Sequence, residues 1–272
     1  MSGRILLGIP HGGLRRPPGL QASWRDGVNG EFLRRQSDAY SAELYKELGV
    51  DSVCFEWSRL VVDPNRSPSS RGRGGVVPRV DFDNRPLYRQ GHEPTEQLIA
   101  ERVATYHAPY HQAIAARLAS GRYALFVDGH AMAAVGPARS PDGAAPRPLA
   151  IVGNGGDAAG EMAPDARPLS CPPALARTAA RRLEEALRAH PSPAAPGYVA
   201  SEGEVWLNRV FRGGYGVRHH GALGDGPYAL QLELNQGLWC HPETFTLHEQ
   251  RLEWMRSVIR SWLHALENDM GA

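Results

Sequence analysis

His11 and His130 each stand just after a short apolar run, Arg4–Pro10 and Tyr123–Asp128. Runs of that length and composition predict buried strands, and in open α/β sheets ligands bind at the carboxyl ends of strands. Neutral imidazole is a common zinc ligand, and a catalytic zinc takes three protein ligands and keeps one position open. The Gly12-Gly13 pair after the first histidine would let the backbone turn sharply and approach a ligand closely. A carboxylate is the natural third ligand, and Asp38 leads. It also opens a predicted helix over 37–48, where Asp is a favoured N-cap, so capping alone could account for it. Hydrogen-bonded structural histidines are the competing reading of the pair.

Other chemistry-bearing residues lie further along. Glu233 falls in Tyr228–Asn235, where Leu230, Leu232 and Leu234 share one strand face and Gln231, Glu233 and Asn235 the other. A carboxylate there is costly if buried without partners, so it belongs either to a wet face or to a site. His107 and His111 stand four apart on a predicted helix and compete for a metal. Ala108 occupies the position where the zinc-protease pattern needs Glu, and Pro109 disturbs the helix, so a role behind the site fits them better. Arg59, Arg66 and Arg85 have the planar fork that suits carboxylates. Asn208–Tyr215 is a glycine-containing segment just before the Glu233 strand, which on its own reads as a tight loop.

These residues need an α/β scaffold. Strands are expected at 4–10, 50–56, 123–128 and 228–234, and helices at 37–48, 95–120 (kinked or divided at Pro109), 172–190 and 246–267. No internal repeat and no polar linker divides the chain, so residues 1–272 read as one domain. A long Arg/Gly/Ser-rich loop spans about 64–94, and an exposed Ala/Pro-rich excursion about 133–148. The net charge of +1 provides no global field for nucleic acid or an anionic membrane, and no apolar run reaches the roughly 20 residues that span a bilayer. Three scattered cysteines form no disulfide framework or metal pair, which fits buried thiols in a reduced cytoplasm. Serine-hydrolase elbows, phosphate loops and dinucleotide fingerprints are absent from the sequence.

The chain resembles the N-formylglutamate amidohydrolase family. The matching pieces occur in order: Ile9–Gly13, Asp38, Ser58–Arg66, Phe82–Arg89, Tyr106–His111, Leu125–His130, Asn208–Tyr215 and Gln231–Asn235. The resemblance implies a phosphorylase/hydrolase-like α/β domain related to zinc carboxypeptidases, with a mixed, mostly parallel central sheet flanked by helices. It implies hydrolysis of N-formyl-L-glutamate to formate and L-glutamate, a step of histidine degradation. It implies one divalent metal, zinc, held by His11, Asp38 and His130, with Glu233 as general base and Arg59 at the reacting carbonyl. Asn65, Arg66, Arg85, Asn208, Gly213, Gly214 and Tyr215 would face a small substrate bearing carboxylates. Ala131, where the family usually has Ser, and Gly129, where it has a bulkier residue, depart from the pattern. So does Gln36, which replaces an acid. They leave open a deacylase for another N-acyl amino acid, or a binding protein without turnover. The oligomeric state is also left open.

Overall fold

The computed structural model of the protein describes residues 3–137, 140, 142–165, 167–200, 202–224 and 226–271. Among these, β1 (Ile5–Ile9), β2 (Ser52–Cys54), β3 (Leu125–Met132), β4 (Ala150–Gly153), β5 (Val205–Leu207) and β6 (Tyr228–Asn235) form one sheet in the order β2-β1-β3-β6-β4-β5. β1 pairs parallel with β2 and β3, and β3 pairs parallel with β6. β4 runs antiparallel to β6 and carries β5 parallel to itself. The sheet is therefore mixed and mostly parallel, as expected. Around it lie α1 (Leu20–Ser23), α2 (Gly30–Arg35), α3 (Ser41–Lys46), α4 (Glu96–Arg102), α5 (Ala108–Leu118), α6 (Pro173–Ala189), α7 (Tyr215–His220) and α8 (Glu249–Gly271).

Helices cover both faces, which is why the central strands are almost continuously apolar. Ile5, Leu7, Leu125, Val127, Leu230 and Leu232 pack with α3, α6 and α8. On α8 the stripe Leu252, Met255, Ile259 and Trp262 closes that side, each such residue stabilising the fold by about 1.5–3 kcal/mol when fully buried. Leu6, Phe126 and Ala229 face the other way, against α4, α5 and α7. Farther along the strands this second face carries Asp128, His130, Gln231 and Glu233, by the two-residue alternation of side chains. The sequence therefore switches from apolar to polar and ionisable residues on a single face, toward the carboxyl ends of β3 and β6.

Several expectations are corrected. His130 lies inside β3 rather than beyond it, because pairing with β6 continues unbroken from Leu125↔Tyr228 to Met132↔Asn235. The helix expected over 37–48 is only α3, and Tyr40, at φ 61°, occupies its N-cap position. Asp38 is thus free of capping duty. The pattern over 95–120 divides as Pro109 requires: a π turn at Val103–His107 has the Ala108 N–H bonded to the Val103 carbonyl, and α5 begins there with proline in its first turn. β4 and β5, of four and three residues, were not expected. They are too short to show periodicity and depend on pairing, β4 with β6 and β5 with β4.

Between β2 and α4 the described chain has no strand of the sheet and no helix. It is held by Leu60, Val61, Leu87 and Tyr88 packed with Trp24 and Leu33. The buried Asp81 carboxylate accepts the Asp83 and Arg85 N–H groups. Of the excursion expected at 133–148, residues 138, 139 and 141 lie outside the described residues. In its flanks Val135 pairs with Pro146 and Arg147 with Asp142. No described helix is long and apolar enough to cross a membrane.

Candidate active site

Strand β1 has β2 on one side and β3 on the other, so its carboxyl end lies where the strand order reverses, the usual ligand position in such sheets. His11 follows β1 in a loop tied to the β2 side by Phe55 N–H to the Ile9 carbonyl (3.0 Å) and Arg15 N–H to the Glu56 carbonyl (3.1 Å). A Cβ on Gly13 would lie 2.1 Å from the Glu56 carbonyl carbon. The glycine thus serves a close approach between two backbone segments, not the expected approach to a ligand. Asp38 is pinned through its neighbours. Ser37 Oγ donates to the His11 carbonyl at 2.5 Å, and Ala39 N–H donates to Gln236 Oε1 at 3.2 Å. In β3, His130 is in register with Glu233, and Asp128 with Gln231. A side chain at Gly129 would meet the Tyr45 ring at 2.9 Å, and Tyr45 Oη donates to the His130 carbonyl at 3.0 Å. Tyr45 therefore fills the space that the small residue leaves.

Three ligand atoms converge at this point. His11 Nδ1 and His130 Nδ1 are 3.2 Å apart, and the Asp38 carboxylate spans them, its Oδ1 3.3 Å from the first and its Oδ2 3.0 Å from the second. Bonds of about 2.0–2.1 Å around a tetrahedral ion place neighbouring ligand atoms about 3.4 Å apart, close to each of these group-to-group separations. The outer nitrogens are also partnered. His11 Nε2 donates to Asp63 Oδ1 at 2.8 Å, and His130 Nε2 lies 3.3 Å from Asp128 Oδ2. Carboxylates behind the imidazoles fix the rings and favour a lone pair on each inward Nδ1, the arrangement seen behind metal-ligating histidines. His11, Asp38 and His130 can together hold a metal ion.

Without an ion, the carboxylates around the imidazoles favour positive charge at this point. Burial alone would raise the Asp38 pKa, but His11 and His130 outweigh it and hold the carboxylate far below its ordinary range. Burial would lower the His130 pKa, yet Asp128 and Glu233 outweigh that and raise it well above 6.5. Asp63 is likewise held low against burial by Arg59 and His11. Arg59 donates to Asp63 Oδ2 at 2.6 Å and to His11 Nδ1 at 3.1 Å, and stands 3.6 Å from Asp38. A guanidinium at the rim of the triangle marks a place where positive charge is stabilised.

Glu233 is buried, its pKa pushed up to about 7 by burial, against the pull of His130 and with the push of Asp38. Its Oε1 accepts Gln231 Nε2 at 2.8 Å, and Gln231 Oε1 accepts the Gly214 N–H at 2.6 Å. Such a carboxylate can exchange a proton near neutral pH.

A cleft of about 790 Å³ opens over these groups. His11, Asp38, His130, Glu233, Arg59, Asn65, Arg66, Gly213 and Gly214 all border it. Asn65 links its parts: its Nδ2 lies 3.2 Å from His130 Nε2 and its Oδ1 accepts the Gly216 N–H at 3.2 Å. Three expected substrate contacts are not brought to the cleft wall. Arg85 is exposed and paired with Asp81 and Asp83. Asn208 is buried against Asn154 and the Asp157 carbonyl. Tyr215 stacks on His219, with ring centroids 4.8 Å apart. Of the departures from the family pattern, Ala131 donates its N–H to Asp38 Oδ2 at 3.0 Å, and Gln36 Oε1 accepts the Phe82 N–H at 2.8 Å. Sequence reasoning assigned no role to Asp63, Asp128 or Gln231. For Asp128 and Gln231 the signal was present: each precedes a site residue by two on a strand, and so shares its face.

His107 and His111 lie behind the cleft. Their Nε2 atoms meet the carbonyls of Arg66 and Pro64, each at 2.9 Å, which brackets Asn65. His111 Nδ1 lies 2.9 Å from His220 Nε2. Burial, then neighbouring histidines, lowers His111 to about 3 and His220 to about 4, against an ordinary 6.5. The unfolded chain binds protons that these folded histidines refuse. Stability is therefore full above pH 6.5 and falls below it, by up to about 1.4 kcal/mol per pH unit for each histidine. Urea midpoints should drop between about pH 7 and pH 5, and His111→Gln should flatten the slope. An unchanged slope in that variant would refute the assignment.

Comparison with known proteins decides the lineage. The model of the N-formylglutamate amidohydrolase family matches residues 3–240. The chain belongs to that family. It is similar to the N-formylglutamate deformylase of Pseudomonas aeruginosa, 32% identical over 279 aligned positions that cover 96% of this chain and 92% of the relative. It is also similar to the N-formylglutamate deformylase of Pseudomonas putida, 28% identical over 276 positions, covering 96% and 91%. Among solved structures, the N-formylglutamate amidohydrolase from Ralstonia eutropha JMP134 matches with a TM-score of 0.68 at 18% identity, over 99% of this chain and 95% of that one. That likeness shows the shared family fold.

Proposed function

We propose that this chain hydrolyses the formyl amide of N-formyl-L-glutamate to formate and L-glutamate, with one divalent metal ion held by His11, Asp38 and His130. The observation that carries the reading is the cluster of His11 Nδ1, His130 Nδ1 and the Asp38 carboxylate, 3.0–3.3 Å from group to group, facing Glu233 across the β3–β6 register. Family membership and the names of the Pseudomonas relatives support the substrate. Two imidazoles and one carboxylate suit zinc.

The ion, when bound, supplies Lewis acidity that polarises the formyl carbonyl and makes water a competent nucleophile near neutral pH. Glu233 takes the proton of the attacking water and returns it to the departing amine as the C–N bond breaks. Gln231 holds one of its oxygens and leaves the other for this transfer. Arg59, anchored to Asp63 through Nη2, turns its Nη1, now beside His11 Nδ1, to the oxygen that gains charge. Asn65, Arg66, Gly213 and Gly214 contact the substrate, while Asn208 and Tyr215 support the loops that carry them and Arg85 holds the turn around Phe82 through Asp81 and Asp83.

Purified protein is expected to release formate and L-glutamate one to one from N-formyl-L-glutamate, assayed beside the N-acetyl and N-succinyl analogues. Formate release no faster than in buffer, with metal supplied, would reject the reading. Faster turnover of an analogue would move the substrate to another N-acyl amino acid.

A further inference from the structure

Seven described arginines border the cleft. Five of them have a carboxylate partner at 3.0 Å or closer. Arg66 and Arg218 have none among the described residues. The carboxylate nearest Arg66 is Asp63, 4.0 Å from its Nε, and that group already accepts Arg59, His11 and the Asn65 N–H. Arg218 has no ion pair with any described carboxylate; its Nε donates to the Gly214 carbonyl at 2.9 Å, leaving both Nη groups for another acceptor. Partial burial, then Arg167 and Arg66, lowers the Arg218 pKa, so these cations stand close enough to repel. Like charges gathered on one wall without a counter-charge are stabilised by an anionic ligand.

Both guanidiniums are rooted beside the reacting groups. Arg66 follows Asn65, which touches His130. Arg218 holds the carbonyl of Gly214, whose N–H binds the Gln231 that holds Glu233. The two segments are tied together by Tyr215 N–H to the Asn65 carbonyl, 3.2 Å. We propose that Arg218 and Arg66 form the end of the cleft that binds a carboxylate of the substrate while its amide lies at the metal triangle. The assignment rests on the hydrolase reading above and adds Arg218 as a specificity-determining residue. Arg suits the task because its fork can donate two parallel hydrogen bonds to one carboxylate.

The test compares Arg218→Gln, Arg218→Lys and Arg66→Gln with the parent, on N-formyl-L-glutamate and on N-formyl-L-glutamine, which lacks the side-chain charge. Loss of a hydrogen bond to a charged group predicts a roughly 10- to 100-fold rise in KM for N-formyl-L-glutamate in either Gln variant, with kcat within a few-fold. Arg218→Lys should recover part of that loss. A KM for N-formyl-L-glutamine that stays at the parental value supports recognition of the side-chain carboxylate, and one that rises equally supports recognition of the α-carboxylate. Unchanged KM for N-formyl-L-glutamate in both Gln variants, or a loss confined to kcat, overturns the proposal. Calorimetric binding of L-glutamate to parent and variants gives a readout without turnover. If the parent fails to hydrolyse N-formyl-L-glutamate, the functional reading fails. Weaker L-glutamate binding in the variants would still support the arginine pair, and equal binding would overturn it.

Discussion

Protein dialysed against a chelator is expected to lose nearly all amide hydrolysis and to regain it with about one equivalent of zinc, because in the proposed mechanism both carbonyl polarisation and water activation depend on the ion. Asp38, Asp63, Asp128 and Glu233 bring four carboxyl groups to a buried site whose fixed neighbouring cation is Arg59. A divalent ion is the charge this donor set favours. Stability should change with activity, since an ion present at 100 times its Kd adds about 2.7 kcal/mol to the folded state. Asp63→Asn is a sharper arm of the same test. It removes the acceptor behind His11 and the counter-charge of Arg59 together, and loss of such a supporting group typically weakens metal affinity about 10- to 100-fold. Competition with a chromophoric chelator measures that affinity directly. Full turnover by protein shown by elemental analysis to lack metal would sink the mechanism, and unchanged affinity in Asp63→Asn would remove Asp63 from the support of the site.

The parts of this site that could be read in the sequence are those with a local physical signature. β3 and β6 were visible because strands buried on both faces must be apolar nearly throughout. The pairing of Gln231 with Glu233 on one face followed from alternation alone. Asp38 was ambiguous because a helix start and a ligand ask for the same residue type, and only the Tyr40 N-cap separates the two roles. Gly12 and Gly13 suggested a ligand, whereas packing explains them: Gly13 lies against the Glu56 backbone and Gly12 against Ala42. Asp63 comes from the irregular segment after β2, where no periodicity tells which way a side chain points. Arg85 and Arg218 show the same limit from opposite sides. Nothing local distinguishes an arginine neutralised by Asp81 and Asp83 from one left facing the cleft without a partner among the described carboxylates.

Glu233→Gln is expected to lower kcat by about 10²- to 10⁴-fold, the usual contribution of a positioned general base, while leaving substrate binding and metal content near parental values. Gln has almost the same shape, and its carbonyl oxygen can still accept Gln231 Nε2, so the 214–231–233 chain of hydrogen bonds persists. What disappears is the ability to take a proton. The same substitution should make the metal-free protein more stable. In the folded state burial raises the Glu233 pKa above its ordinary 4.5, to about 7. The unfolded carboxyl group is therefore the stronger acid, and its ionisation penalises folding as pH rises above 4.5, with the full cost reached above about 7. A neutral amide escapes that cost, and each kcal/mol relieved should raise Tm by about 2–4 °C for a chain near this size. A buried carboxylate held with one donor at a cost to stability is what a site selected for proton transfer would keep. Lower kcat with a higher Tm is the signature of that trade. Lower kcat with a lower Tm would mean that Glu233 chiefly holds the fold, and unchanged kcat would remove it from the chemistry.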